Sequence, residues 1–130
     1  MRVYYASFCL HTIFMKTRRN LTIFLIVKTT TEWLALAPAE RFEFVRRALV
    51  PLLAKHADIK FRFFDVEAFS ARASDVFVLE TAELWSYQSL VEALRETPFW
   101  DRYFSVLDIL PGFEDGYADH YGVEAFSSPK

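Results

Sequence analysis

Residues Leu21 to Lys28 carry apolar side chains on both sides of an extended chain. Leu21, Ile23, Leu25 and Val27 fall on one face, Phe24 and Ile26 on the other. A strand that is apolar on both faces has to be covered on both. That condition restricts the chain to architectures in which a sheet is sandwiched between two layers. It recurs further along. Ile59 to Glu67 alternates, with Ile59, Phe61, Phe63, Asp65 and Glu67 on one face and Lys60, Arg62, Phe64 and Val66 on the other. Val76 to Thr81 reads as its hairpin partner, across the turn-like run Ser70-Ala71-Arg72-Ala73-Ser74-Asp75. Tyr103 to Leu110 reads as a fourth strand, with Phe104, Val106, Asp108 and Leu110 opposed to Leu107 and Ile109. Pro111-Gly112 is expected to stop it.

Two helical stretches separate these strands. Pro38 suits a first helical turn and Glu40 its positive end. Phe42, Val45, Leu49, Leu52 and His56 then recur at helical spacing. Pro51 lacks an N–H and clashes with the carbonyl four residues back, so a kink near Arg47 or two helical pieces are expected. Glu83 to Glu96 forms the second helix, with Leu84, Tyr87, Val91 and Leu94 as its buried stripe and Leu90 beside it. Thr97-Pro98 terminates it.

The order is β-α-β-β-α-β, the ferredoxin-like pattern of an α+β fold: an antiparallel sheet with both helices on one face. Two helices cover one face only. Each aliphatic or aromatic side chain buried on the other is worth about 1.5–3 kcal/mol. A second copy of the same sheet is the economical cover, which predicts a homodimer in the form of a dimeric α/β barrel.

With 130 residues, one domain is expected over 21–122, between a 1–20 extension and a 123–130 tail. The basic cluster Lys16-Arg18-Arg19 follows residues 3–14, whereas a signal peptide puts its charges first. Met15 reads as an alternative start, which makes residues 1–14 a dispensable appendage; an extra edge strand is the competing reading. A net charge of −2 with no basic stripe argues against nucleic acid and anionic membranes as partners. Cys9 is the single cysteine, which rules out an internal disulfide and fits a cytoplasmic protein.

The chain has no phosphate loop, dinucleotide fingerprint, nucleophile elbow or metalloprotease motif. His11, His56 and His120 are far apart. His56 reads as a helix C-terminal group, His120 as a tail residue, and no metal site is assigned. The carboxylates carry more. Asp65 and Glu67 share one strand face, Glu80 lies on the partner strand and Asp108 on the fourth. A buried acid is costly unless paired, and burial raises its pKa toward the range of general acid/base work. Asp65 is the candidate catalytic carboxylate, with Arg72 in the turn as the local counter-ion. Trp33, Arg62, Glu67, Glu80, Trp85 and Asp108 are the candidate ligand contacts. Trp100, Tyr87 and Tyr103 are further aromatics that would suit a pocket wall. The alternative is that the acids sit at strand ends, wet or in salt bridges, and that the aromatics are core.

The runs TIFLIVKTT, FFDVEAFSARASDVFVLETAEL, VEALRETPFW and DILPGFEDGY resemble the darcynin family over Leu21 to Tyr121. That family is small, bacterial and without an assigned activity, so the resemblance implies the fold and supplies no catalytic residue. More distantly the chain is similar to dimeric α/β barrel proteins, which include cofactor-free oxygenases, isomerases and haem enzymes. Haem suits this chain poorly, because no histidine lies on the second helix, and no cofactor is assigned. Two functions follow. One is a cytoplasmic homodimer that binds a small organic ligand between sheet and helices, with a carboxylate as general base. The other is a non-enzymatic module whose apolar sheet face serves only assembly.

Overall fold

A computed structural model describes residues 19–127. The doubly apolar segment forms strand β1 (Leu21–Thr29), the inner strand between β3 (Asp75–Thr81) and β4 (Phe104–Gly112). Strand β2 (Lys60–Asp65) lies outside β3, so the sheet order is β2-β3-β1-β4 and every pairing is antiparallel. Helix α1 (Thr31–Ala35) follows β1. The composite helix α2 runs through Pro38–Phe44, Val45–Leu49 and Val50–Lys55. Helix α3 (Leu84–Arg95) crosses from β3 to β4, and α4 (Gly116–Tyr121) ends the chain. This is the α+β, ferredoxin-like arrangement expected. The expectations for residues 1–14, Cys9 and His11 lie outside the described residues.

Register decides which side chains share a face. Directly paired residues in an antiparallel sheet point the same way. Phe63, Phe77, Leu25 and Ile109 therefore form one inner row, and Asp65, Asp75, Val27 and Val106 the next. Ile23, Leu25, Val27, Phe77 and Leu79 are buried with Phe44, Leu49, Leu90, Leu94, Phe99 and Phe104 in a single core. The outer face carries Arg62, Val78, Phe24 and Leu110 in one row and Phe64, Val76, Ile26 and Asp108 in another. Phe24, Phe64 and Leu110 stand exposed there.

Three local readings are corrected by the structure, and one is given its form. Pro111 and Gly112 continue β4 and do not stop it. Among the described residues β4 is an edge strand, and an edge position tolerates a residue with no N–H. The pairing with β1 also slips between Ile26 and Val27: Val106 faces Val27 while Asp108 faces Ile26, leaving Leu107 as the extra residue of a bulge. Phe104 and Val106 are thus inward and Asp108 and Leu110 outward, although their sequence spacing puts all four on one side. The interruption expected near Arg47 is present: α2 consists of two α-helical pieces, Pro38–Phe44 and Val50–Lys55. The five residues between them, Val45–Leu49, widen into a π-turn, and the helix continues. The segment after Gly112, expected to be turns and a frayed tail, contains α4.

Helices α1 and α3 begin on a side-chain cap. The Thr30 hydroxyl accepts from the Trp33 N–H at 3.3 Å, and Glu83 accepts from the Trp85 N–H at 3.2 Å. His56 ends α2, where its Nδ1 meets the Leu52 carbonyl oxygen at 2.8 Å, as its position suggested. On α3 the buried centre is Leu90, 0% exposed, whereas Leu84 is 58% exposed. Leu90→Ala should therefore cost about 2–5 kcal/mol in chemical denaturation, and Leu84→Ala less than about 0.5 kcal/mol. Equal losses would contradict this placement of the stripe.

Candidate functional site

The inner face of β2 and β3 is not fully covered by α2. Between them lies a cavity of about 500 Å³, walled by Leu25, Phe61, Phe63, Phe77 and Leu79 of the sheet and by Phe42, Val45, Leu49, Val50 and Leu53 of α2. Leu90 and Leu94 of α3, with Phe99 and Phe104, close its floor. Trp33 stands at one side. Its ring packs on Phe44, Tyr103 and Phe104, with centroids 5.0–5.8 Å apart. Arg41 fixes the backbone of α1 there, donating from Nε to the Trp33 carbonyl at 3.2 Å and from Nη2 to the Leu34 carbonyl at 3.0 Å. The cavity is of the size and apolar character of small-molecule sites.

Its polar end is made by three carboxylates: Asp65, Glu67 and Asp75. Asp65 and Asp75 are direct cross-strand partners at the end of the β2–β3 ladder. Like charges placed opposite each other on a sheet repel. Asp65 is exposed and accepts the Glu67 N–H at its Oδ1, 3.3 Å away. Asp75 is 6% exposed. The buried Ser74 positions it. The Thr29 N–H donates to Ser74 Oγ at 2.9 Å, and Ser74 Oγ donates to Asp75 Oδ2 at 2.7 Å. The Ser74 N–H also donates to the Val27 carbonyl at 2.9 Å, so one residue ties β3 to the end of β1. Burial pushes the Asp75 carboxyl above its ordinary pKa. The Ser74 hydroxyl opposes that shift, and the nearby charges of Asp65 and Glu67 add to it.

Sequence reasoning put Asp75 in the turn and missed it. The signal was available: Asp75, Phe77, Leu79 and Thr81 alternate with Val76, Val78 and Glu80, and these four are the buried face of β3. Among the expected site residues, Trp33, Asp65 and Glu67 line the cavity. Arg62 and Glu80 sit on the opposite face, beside Phe24, Phe64 and Phe113 in a second depression of about 440 Å³. Arg62 lies over the Phe64 ring, 4.9 Å from its centroid, and Glu80 accepts from the Asn20 amide at 3.1 Å. The β-bulge sends Asp108 to that side too, where its Oδ1 accepts the Ile109 N–H at 2.8 Å. Trp85 is 73% exposed at the start of α3. Tyr87, Trp100 and Tyr103 do not line the cavity. Among the described residues, neither Arg72 nor any other cation forms an ion pair with Asp65, Glu67 or Asp75. Also among the described residues, no three histidine, cysteine or carboxylate side chains group closely enough to hold a metal ion, and no helix is long and apolar enough to cross a membrane.

Fold and site together define a ferredoxin-like α+β domain with an apolar cavity and an acidic end. The chain belongs to the Darcynin family, whose model, described as a domain of unknown function, matches residues 10–129. The match thus begins before Leu21. A Darcynin homolog of Streptomyces avermitilis is 49% identical over 110 residues, 84% of this chain and 91% of that protein. One from Granulibacter bethesdensis is 46% identical over 83% of this chain and 88% of its own. Darcynin 1 of Acinetobacter baumannii is 41% identical over 67% and 98%. Among solved structures, two mutant forms of chlorite dismutase from Candidatus Nitrospira defluvii superpose with TM-scores of 0.65 and 0.64 at 17% identity. They cover 81% and 79% of this chain, which spans only 44% and 43% of theirs. At that identity the likeness concerns the fold.

The environment of Asp75 has a consequence for stability. A carboxyl whose pKa is higher in the folded chain than in the unfolded one contributes stability at low pH. That contribution is lost as pH rises through the folded value. At neutral pH Asp75 is therefore a liability. Asp75→Asn keeps an acceptor for Ser74 and should raise the melting temperature at pH 7 by about 3 °C, with the gain vanishing below about pH 4. Thermal melts of both proteins across that range check it; a variant less stable at pH 7 would show that the charge is compensated.

Proposed function

We propose that this protein binds a small organic molecule in the cavity between the sheet and α2, with the acidic end meeting a proton-bearing group of the ligand. The observation that carries the reading is the cavity itself: about 500 Å³ of apolar and aromatic wall ending in Asp65, Glu67 and Asp75. A domain folded for stability alone fills such a space with side chains. Asp75, shielded and with a raised pKa, is suited to exchange a proton with a bound ligand, and Asp65 beside it to hold the counterpart. This extends the expectation for Asp65 to a pair and involves no cofactor. Nile red, an uncharged apolar dye, tests occupancy. Its fluorescence should rise on mixing with the protein, and Val45→Trp, which fills the cavity, should abolish most of the rise while Phe24→Glu on the outer face does not. A dye response insensitive to Val45→Trp would remove the cavity from the reading.

The exposed Phe24, Phe64 and Leu110 favour a second, compatible reading, in which the outer sheet face assembles two copies. Lys60 and Arg62 share that face with Glu80 and Glu114, so charges of both signs are available for self-complementary contacts. In this reading the protein is a cytoplasmic homodimer, with no part for nucleic acid or membrane. If assembly is all it does, the cavity stays empty in the cell. Native mass spectrometry separates the two: a species of twice 15.2 kDa is expected, and retained small-molecule mass marks the binding function. Phe24→Glu should return the mass to 15.2 kDa. A wild-type monomer at high micromolar concentration would end the assembly reading and leave the cavity untouched.

A further inference from the structure

Resting on the cavity reading above, we infer that the ligand class is an organic cation: an amine carried on an aromatic or aliphatic body. Three features of the geometry point there. Asp65, Glu67 and Asp75 face one cavity, and among the described residues none of them is paired with a cation. Asp75 is 6% exposed, and while its Oδ2 receives the Ser74 hydroxyl, its Oδ1 has no hydrogen-bond partner among the described residues. No buried side-chain polar atom among the described residues lacks a partner, so this oxygen is open to the cavity, where a donor carried by the ligand can reach it. The surrounding wall is aromatic, with the Phe63 ring 5.2 Å from Phe77 and Trp33 across the space. Such faces attract a cation and accept an apolar body alike. Arg41 also lines the cavity, but its Nε and Nη2 are spent on the Trp33 and Leu34 carbonyls, at the end of α1. An anionic ligand would meet three carboxylates against the single positive charge of Arg41.

The three carboxylates are too dispersed to wrap a metal ion. An ammonium group suits them better, because its three donors can reach separate acceptors. The remaining volume is taken by carbon.

The test uses three probes with one body and three heads: 2-phenylethylamine, 2-phenylethanol and phenylacetate, titrated at pH 7 and low salt into the full chain. Backbone amide NMR shifts at Val45, Phe77 and Leu90 report cavity occupancy. The amine should bind at least about tenfold more tightly than the alcohol, equivalent to about 1.4 kcal/mol, and phenylacetate more weakly than either. The preference should disappear in the double variant Asp65→Asn, Asp75→Asn and persist in Glu92→Gln, an exposed acid on α3 outside the cavity lining. An alcohol that binds as well as the amine, or a preference untouched by the double variant, overturns the cation inference while Nile red binding keeps the cavity reading. If the dye and all three probes fail to shift those amides, both fall.

Discussion

The buried row of β1 is the interaction on which the rest of the molecule depends. Ile23, Leu25 and Val27 are at most 1% exposed. Their strand pairs antiparallel with β3 on one side and β4 on the other, and its inward side chains lie in the core that the helices cover. Strand β3 aligns on it residue for residue from Leu21 to Val27, and β4 does so with one slip. The row therefore sets which residues of three strands face inward. It also sets where the core stops. Its last member, Val27, is in line with Asp75 and Asp65, so the hydrophobic interior gives way to charge within a single ladder step.

That transition is held by Ser74. Its backbone ties β3 to Val27, and its hydroxyl connects the Thr29 N–H to the Asp75 carboxylate. Lys28 reinforces the same corner by donating to the Ala71 carbonyl at 2.8 Å. The β2–β3 connection is thus pinned at both ends, even though it has no regular structure. A rigid connection matters for a site at its base, because loosely held acids lose the positional precision that binding demands. The placement also works against stability. Two facing carboxylates, one of them 6% exposed, stand where an apolar pair would hold the fold better.

Much of this was legible in the order of residues. Period-two alternation located β1 and β2, and helical spacing located α2 and α3, because side-chain burial imposes those periods directly. Trp33, Asp65 and Glu67, named from position alone, line the cavity. What escaped was whatever depends on a neighbour in space. The bulge opposite Ile26 reverses the phase of β4 and sends Asp108 outward. Pro111 survives in a strand because, among the described residues, no further strand lies beyond it. Asp75 was hidden by a run of serines and alanines that resembles a turn, although its spacing to Phe77 and Leu79 is that of a strand. Arg62 and Glu80, adjacent in sequence to cavity residues, lie behind the sheet for the same period-two reason.

The π-turn at Val45–Leu49 has a geometric meaning beyond tolerating Pro51. It carries one residue more than the α-helical turn it replaces, and each residue of an α-helix turns the axis by about 100°. The two halves of α2 are therefore phased independently. The first directs Phe44 into the aromatic group around Trp33, and the second lays its length along α3. A chain lacking one residue in that turn would run as an uninterrupted α-helix with its front half rotated by that angle. Helix phase is thus one of the things that set which α2 side chains stand over the cavity.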